Sequence, residues 1–264
     1  MRIIGIGQVL FALAGAGIAA LSFKYGDLAP MWQFYLPADI FWREAWLYTT
    51  ALLLLAASID LFVPRMTVPS AILFALYFAV CALTRITPIV AHPLEVGAWY
   101  GFVEAMTGLT GAWILCAMLR PQSSARQAPP FAGERAVRAA QIVFGLTCAF
   151  YGLSHFVYAD YTATLVPGWL PGPMEFAYFT GACHIAAGVG IVFGILPRPA
   201  ALLEGIMMSL FGLLVWLPTF FMQPPPKWAT PPLNQWAEVV VNIMLAAVAF
   251  IVARSLMRSL RAPV

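Results

Sequence analysis

Residues 68–90 read VPSAILFALYFAVCALTRITPIV, a run of 23 residues in which Arg85 is the only charge. A membrane-spanning helix needs about 20 mostly apolar residues, and this run is apolar on every face rather than along one stripe. Seven other runs share these properties. The eight predicted spans cover residues 3–23, 42–63, 68–90, 97–119, 137–158, 175–196, 200–222 and 235–257.

The overall composition supports the same conclusion. Hydrophobic residues make up 62% of the chain and charged residues only 9%, whereas charged residues are about 25% of an ordinary soluble protein. A soluble protein of 264 residues could not cover its surface with so few charges. These values exclude a soluble domain, a disordered chain and a nucleic-acid-binding protein. The sequence therefore predicts an all-α integral membrane protein with eight transmembrane helices, in contact with the lipid bilayer.

The predicted spans divide the positive charges unequally between the two sides of the membrane. Ten arginines fall on the side of the amino terminus, and three basic residues fall on the other side. Because Lys and Arg in short loops stay on the cytoplasmic side, both termini are predicted to be cytoplasmic. The three basic residues on the far side are Lys24, Arg43 and Lys227.

The chain also repeats itself with an offset of 132–134 residues. An even number of helices in each repeat gives both halves the same orientation, which predicts two parallel four-helix bundles related by a pseudo-twofold axis. The predicted division is a first bundle over 1–120, a cytoplasmic linker over 121–135 and a second bundle over 136–264. The matching pairs include Gln8 and Gln141, Pro64-Arg65 and Pro197-Arg198, and Glu104 and Glu238.

The first outer loop of each half is long and contains Trp, Tyr and Pro but few charges. These loops cover residues 24–41 and 159–174. They are candidate lids that fold back over the bundle, and the alternative is a connector held at the interface by its aromatic residues.

Three stretches of the second half carry a resemblance to a known family. They are GLSHF over 152–156, VPGWLP over 166–171 and FTGACHIAAG over 179–188. Together they resemble the DoxX-like family of small four-helix bacterial membrane proteins, over roughly residues 136–256. The first half resembles a diverged second copy that lacks both histidines, with Phe23 in the position of His155.

The resemblance implies a bacterial inner-membrane location. The family takes its name from a thiosulfate:quinone oxidoreductase, so the resemblance also implies a quinone as a possible cofactor, by analogy alone.

Two charged residues of the first half lie at nearly the same predicted depth. Arg85 and Glu104 stand at similar distances from the turn near residues 93–94, which predicts an intramembrane ion pair. The alternative is a functional role as an anion site or a proton relay. The second half has Leu217-Pro218 where the first has Arg85, so Glu238 is predicted either to have a different partner or to stay protonated.

The polar residues of the second half form the predicted ligand-binding set. His155, Glu175 and Glu238 are expected near the outer end of the bundle, with Asn242 below them, where they could transfer protons or bind a polar head. His184 is expected about 10 Å deeper at helical rise. The alternative is that these groups only form hydrogen bonds between helices.

Other polar groups carry weaker signals. The depth difference between the two histidines argues against haem, and no metal site is predicted. The four cysteines stand singly in apolar runs without a C-x-x-C motif, which favours packing over redox chemistry or zinc binding. Asp60 and Glu204 are predicted to form interfacial pairs with Arg65 and Arg198.

Three functions remain open at this point, and no motif identifies a catalytic residue. The favoured one is an inner-membrane protein that binds a hydrophobic small molecule, quinone-like or a terpenoid, in the outer half of the second bundle, with a redox link possible. The alternative is a non-catalytic accessory or structural subunit, or an assembly factor, of a larger membrane complex or homo-oligomer. Transport ranks third, because few charged groups line a continuous path.

Overall fold

The computed structural model describes residues 5–27, 39–119, 133–222 and 232–259. All regular structure within these ranges is helical. The predicted linker over 121–135 lies almost entirely outside the described residues, as do most of the loop over 24–41 and residues 223–231.

The helices follow the predicted spans to within a few residues at each end, because long apolar runs determine them. Pro232–Ser259 begins three residues before the predicted span, and Ile86–Ala91 continues the third span after a break at Arg85. In chain order the helices are α1 Ile6–Tyr25, α2 Arg43–Asp60, α3 Thr67–Thr84, α4 Ile86–Ala91, α5 Val96–Leu119, α6 Glu134–Val157, α7 Ala159–Leu165, α8 Pro173–Phe193, α9 Pro197–Phe211 and α10 Pro232–Ser259.

Within the described residues, seven helical segments are long and apolar enough to cross a membrane. They comprise α1, α3 with α4, α5, α6, α8, α9 with its extension to Phe221, and α10. The remaining long helix, α2, has 18 residues and carries Arg43, Glu44 and Asp60 at its ends. An all-α membrane protein is therefore confirmed, and the count of eight spans stays a prediction.

The helices of the two halves share one large interface. Within the halves, α3 packs against α5 and α6 packs against α8. Between the halves, α1 packs against α10, and α5 packs against both α6 and α10. The core lies along α10. In the membrane-spanning part of α10, 78% of the residues are buried, whereas in the span Pro197–Phe221 only 28% are buried. The α9 side of the molecule therefore faces outward.

Helices α6 and α8 approach each other unusually closely because glycines line their contact. A Cβ atom on Gly152 would lie 2.5 Å from the carbonyl oxygen of Gly181, and one on Gly188 would lie 2.5 Å from the carbonyl oxygen of Gly145. Small residues allow membrane helices to pack backbone against backbone. This contact determines which side chains of α6 and α8 meet.

Helix α9 ends irregularly. Residues Gly212–Trp216 form a π-helical turn and Leu217–Phe221 form a 3₁₀ turn. Pro218 explains this departure, since it has no N–H to donate to the preceding turn and its ring excludes the carbonyl four residues earlier. The helix widens at this point, next to the cavity described below.

Candidate functional site

A cavity of about 820 Å³ runs along the groove between α8 and α9. Its size falls within the range of about 300–1,000 Å³ that is usual for small-molecule sites. Helix α7 and the loop that follows it close one end through Leu165, Val166 and Leu170. Part of the segment 159–174, predicted as a candidate lid or a connector, therefore lines this end of the cavity. Most of the wall is apolar, including Phe179, Ala186, Leu203, Met207, Leu210 and Leu214.

His155 lies on the wall of this cavity. Its Nδ1 atom is 2.9 Å from Oγ1 of Thr180 and 3.3 Å from the carbonyl oxygen of Ala177. The hydroxyl of Thr180 donates its own hydrogen to the carbonyl of Phe176 at 2.8 Å, and a carbonyl can only accept. Nδ1 therefore carries the hydrogen that donates to both, which leaves Nε2 of the neutral ring as a hydrogen-bond acceptor.

The structure places the two histidines in contact, so the predicted separation of about 10 Å is wrong. The ring centroids of His155 and His184 lie 5.1 Å apart, with an interplanar angle of 73°. His184 is almost completely buried, at 1% exposure. The difference in depth between the two histidines that was expected to exclude haem is therefore absent from the structure.

The error has two physical causes. The glycine contacts and the hydrogen bond to Thr180 place His155 level with residue 180, so His184 is only four residues deeper, about 6 Å at helical rise. Side chains also tilt toward the amino terminus of their own helix. Since α6 and α8 run in opposite directions, the two imidazoles tilt toward each other and close this gap.

His184 forms a buried pair with Glu204. Its Nδ1 atom donates to Oε1 of Glu204 at 2.8 Å, and the two side chains are 1% and 2% exposed. The prediction that Glu204 pairs with Arg198 at the interface is wrong. Glu204 stands two turns inside α9, on a buried stripe with Ala201, Gly205 and Met208, so the helix carries it inward.

Glu204 also connects the buried pair to the cavity. It lies on the cavity wall, and its second oxygen, Oε2, is buried with no hydrogen-bond partner among the described residues. Phe211 completes the site from the same helix, with its ring 6.0 Å from that of His155 and 5.9 Å from that of His184. The site therefore places two imidazoles and one carboxylate beside an apolar cavity.

The other predicted ligand-binding residues lie elsewhere. Glu175 is exposed near the start of α8, next to Gly172. Asn242 is buried and donates to the carbonyl of Glu238 on its own helix, at 2.8 Å. Neither Glu175, Glu238 nor Asn242 is among the described residues that line the cavity. Of the predicted His155–Glu175–Glu238 cluster, only His155 therefore lies on the cavity wall, and the cluster itself stays a prediction.

Glu238 is not on the cavity wall but acts electrostatically on α7. Burial and then the Glu238 carboxylate raise the pKa of the Tyr161 phenol on that helix. The electrostatic neighbours of Glu104 are Glu238 and Arg85. Oε2 of Glu104 is buried without a hydrogen-bond partner among the described residues. Arg85 therefore shares an electrostatic environment with Glu104, and a direct ion pair remains a prediction.

The described residues of the first half offer no equivalent of the histidine site. At the position predicted to match His155, Phe23 stacks on Tyr48 with centroids 6.0 Å apart. Ala51, in the region predicted to match His184, is buried in the core. This asymmetry concentrates the ionisable cavity residues in the second half.

Sequence reasoning missed Thr180 and Glu204 as members of the site. Thr180 and His184 are four residues apart, so they lie on the same face of α8. Glu204 could have been found from the spacing 201, 204, 205 and 208, which predicts one buried face. The predicted cluster relied on depth alone and did not consider helix faces.

Comparisons with known proteins agree with the resemblance noted above. Neither the curated proteins nor the solved structures gave a significant match to this chain. Residues 137–217 match the model of the DoxX family, and this range contains His155, His184, Glu204 and Phe211. Within this membrane protein, residues 137–217 are therefore similar to the DoxX family.

Proposed function

We propose that this membrane protein binds an elongated apolar small molecule, quinone-like or a terpenoid, in the cavity between α8 and α9. The observation that carries the proposal is a cavity of about 820 Å³ with a largely apolar wall and the His155 imidazole on it. A ligand with a long apolar body and one polar end matches this distribution of groups.

The geometry of His155 defines the polar end of the ligand. Because Nδ1 is occupied by Thr180 and Ala177, Nε2 is the atom left to accept a hydrogen bond. A hydroxyl such as that of a quinol or a terpenoid alcohol would donate to it. In an apolar cavity such a bond is strong, because a polar group left without a partner there costs several kcal/mol.

The route of entry is through the lipid. Leu203, Ile206 and Leu210 line the cavity on α9 and are exposed, so the groove opens toward the hydrocarbon region rather than toward water. A molecule dissolved in the bilayer could enter sideways between α8 and α9. His155 and Glu204 then replace Glu238 and Asn242 as the polar groups nearest to the bound molecule.

We also propose the orientation and location that the charges favour. The protein lies in the bacterial inner membrane with eight spans in two parallel repeats and with both termini in the cytoplasm. The excess of arginines on that side supports this arrangement. Single cysteines placed near Arg135 and near Glu95 would react with an impermeant maleimide from opposite sides of the membrane. Labelling of both positions from one side would contradict the orientation.

The binding proposal is tested by what the purified protein retains. Wild-type protein and an Ala186→Trp variant, which fills the cavity, are purified in mild detergent, and their extracts are analysed by mass spectrometry. Ala56→Trp is the matched control, since Ala56 is exposed on α2, away from the cavity. Wild type and Ala56→Trp should retain the same apolar molecule, and Ala186→Trp should lose it.

Two results would contradict the proposal. One is equal retention in all three proteins, which would place the molecule elsewhere. The other is that every preparation contains only bulk phospholipid and that added quinone and terpenoid probes do not bind to the purified protein. That result, together with a stable larger assembly in gentle detergent, would favour an accessory subunit of a membrane complex.

A further inference from the structure

A second cavity, of about 660 Å³, lies at the end of the bundle where α1 begins and α10 ends. It is separate from the histidine site, since no residue lines both. Helices from both halves form its wall: α1 and the end of α5 come from the first half, and α9 and α10 from the second. Its apolar wall includes Ile6, Phe62, Leu115, Leu202, Phe250 and Ile251.

Two arginines give this cavity a positive charge. Arg198, at the start of α9, and Arg254, in the last turns of α10, both line it, and none of the described lining residues is an Asp or a Glu. Arg198 is exposed and Arg254 is half-buried. Two guanidinium groups beside an apolar wall match a molecule that carries a negative charge at one end and hydrocarbon at the other.

The side chain of Arg254 lies against the start of α1. A Cβ atom on Gly5 would clash with its guanidinium, so a larger residue at position 5 would displace this flexible side chain. Next to it, a Cβ atom on Gly7 would lie 2.9 Å from the carbonyl oxygen of Ala247. Gln8 closes the inner wall by donating from Nε2 to the carbonyl of Leu61 at 2.7 Å.

We propose that this second cavity binds an anionic phospholipid, with its phosphate between Arg198 and Arg254 and an acyl chain along the wall formed by α1, α9 and α10. The charge of the lining carries the choice of ligand. A zwitterionic lipid would bring its own cation toward the arginines, whereas phosphatidylglycerol brings only the phosphate. The lipid would contact both halves of the chain and hold them together at this end.

The experiment compares phosphatidylglycerol with phosphatidylcholine of the same acyl chains, added to delipidated full-length protein in neutral detergent. Native mass spectrometry reports the bound lipid. Wild type should retain phosphatidylglycerol in preference, and the Arg198→Gln/Arg254→Gln double variant should bind it about 30-fold more weakly, from about 1 kcal/mol for each basic residue. Arg135→Gln changes an exposed arginine at the start of α6, outside the cavity. It is the control for the loss of one positive charge and should bind as wild type.

A second variant separates a lipid site from a site for a free anion. Leu202→Trp places a bulky ring on the apolar wall and leaves both arginines, so it should weaken phosphatidylglycerol binding without changing competition by inorganic phosphate. Equal retention of the two lipids by wild type would overturn the proposal. An equal loss of lipid binding in the double variant and in Arg135→Gln would also overturn it. So would displacement of the lipid by millimolar inorganic phosphate together with unchanged phosphatidylglycerol binding in Leu202→Trp.

Discussion

The imidazoles of His155 and His184 meet edge to face, with their centroids 5.1 Å apart, although they come from different depths of antiparallel helices. His155 faces the cavity and His184 faces Glu204. This contact therefore links His155, which a ligand can reach, with the buried pair of the His184 imidazole and the Glu204 carboxylate.

The buried pair of His184 and Glu204 should contribute strongly to stability. Glu204→Leu leaves the His184 Nδ1–H without an acceptor in the core, which should cost about 3 kcal/mol. Thermal unfolding in detergent measures this cost. The His184→Phe/Glu204→Leu double variant should lose less than the sum of the two single variants, because both buried polar groups are removed together. Glu175→Gln, an exposed change on α8, should have little effect, and additive losses in the cycle would contradict the pairing.

The glycine contact between α6 and α8 should not tolerate a methyl group. Gly188→Ala places a Cβ atom 2.5 Å from the carbonyl oxygen of Gly145, so the helices must separate at a cost of about 1–3 kcal/mol. Gly168→Ala is the control, because a Cβ atom there meets nothing within 4 Å. Thermal unfolding should distinguish the two variants clearly, and equal melting temperatures would show that the helices are not so close.

The same substitution should also affect ligand binding. Separation of α6 from α8 would move His155 away from Thr180, so Gly188→Ala should bind the cavity ligand more weakly than Gly168→Ala does. The Gly188→Ala protein could be less stable and still bind the ligand as well as Gly168→Ala does. That result would show that the position of His155 does not depend on the contact between α6 and α8.

Arg138 should stabilise the last turn of α8. Its guanidinium donates to the carbonyls of Ile191 and Val192 at 3.0 and 2.7 Å, where the helix leaves its final carbonyls without partners. Arg138→Leu should speed hydrogen exchange at residues 190–194 by about 10- to 100-fold, from about 1.5–3 kcal/mol for a charged hydrogen bond. Arg135→Leu, in the same helix but exposed, should leave exchange at these amides unchanged, and equal effects would argue against a specific cap.

Thr180 should act on the ligand through His155. Thr180→Val removes the oxygen that accepts from Nδ1 at 2.9 Å and leaves only the Ala177 carbonyl at 3.3 Å. The loss of about 1 kcal/mol in orienting the ring should weaken ligand binding about fivefold. The nitrogen-15 shifts of His155 should also show a mixture of tautomers. Thr164→Val, an exposed change on α7, is the control, and an unchanged Nδ1–H tautomer in Thr180→Val would contradict the proposed role.

Hydrophobicity predicted the helices well and their packing poorly. Long apolar runs fix where a helix can lie in a bilayer, so the bounds of α5 and α8 follow from composition within a few residues. Which helices then touch depends on shape. The packing of α1 against α10 relies on positions such as Gly7, whose significance appears only when the neighbouring backbone is known.

The sequence identified both histidines of the candidate site but not their positions relative to each other. His155 and His184 were singled out because ionisable residues are costly in a membrane, and both lie in the site. The predicted separation of the two imidazoles was too large because the rise per residue along a helix axis does not include the tilt of the side chains. The sequence places Glu204 near Arg198 at a helix end, which predicts an interfacial pair, whereas the face of α9 on which Glu204 stands determines its burial.

The position of a bound molecule shows whether the ligand lies in the cavity between α8 and α9. A photoreactive quinone or terpenoid alcohol is bound to the purified protein, activated by light, and its attachment sites are mapped by peptide sequencing. We expect adducts on Cys183, Met207 and Phe211, with labelling abolished by Ala186→Trp and retained in Ala56→Trp. Adducts spread over the exposed faces of α2 and α3, and unaffected by Ala186→Trp, would show that the cavity between α8 and α9 is not the binding site.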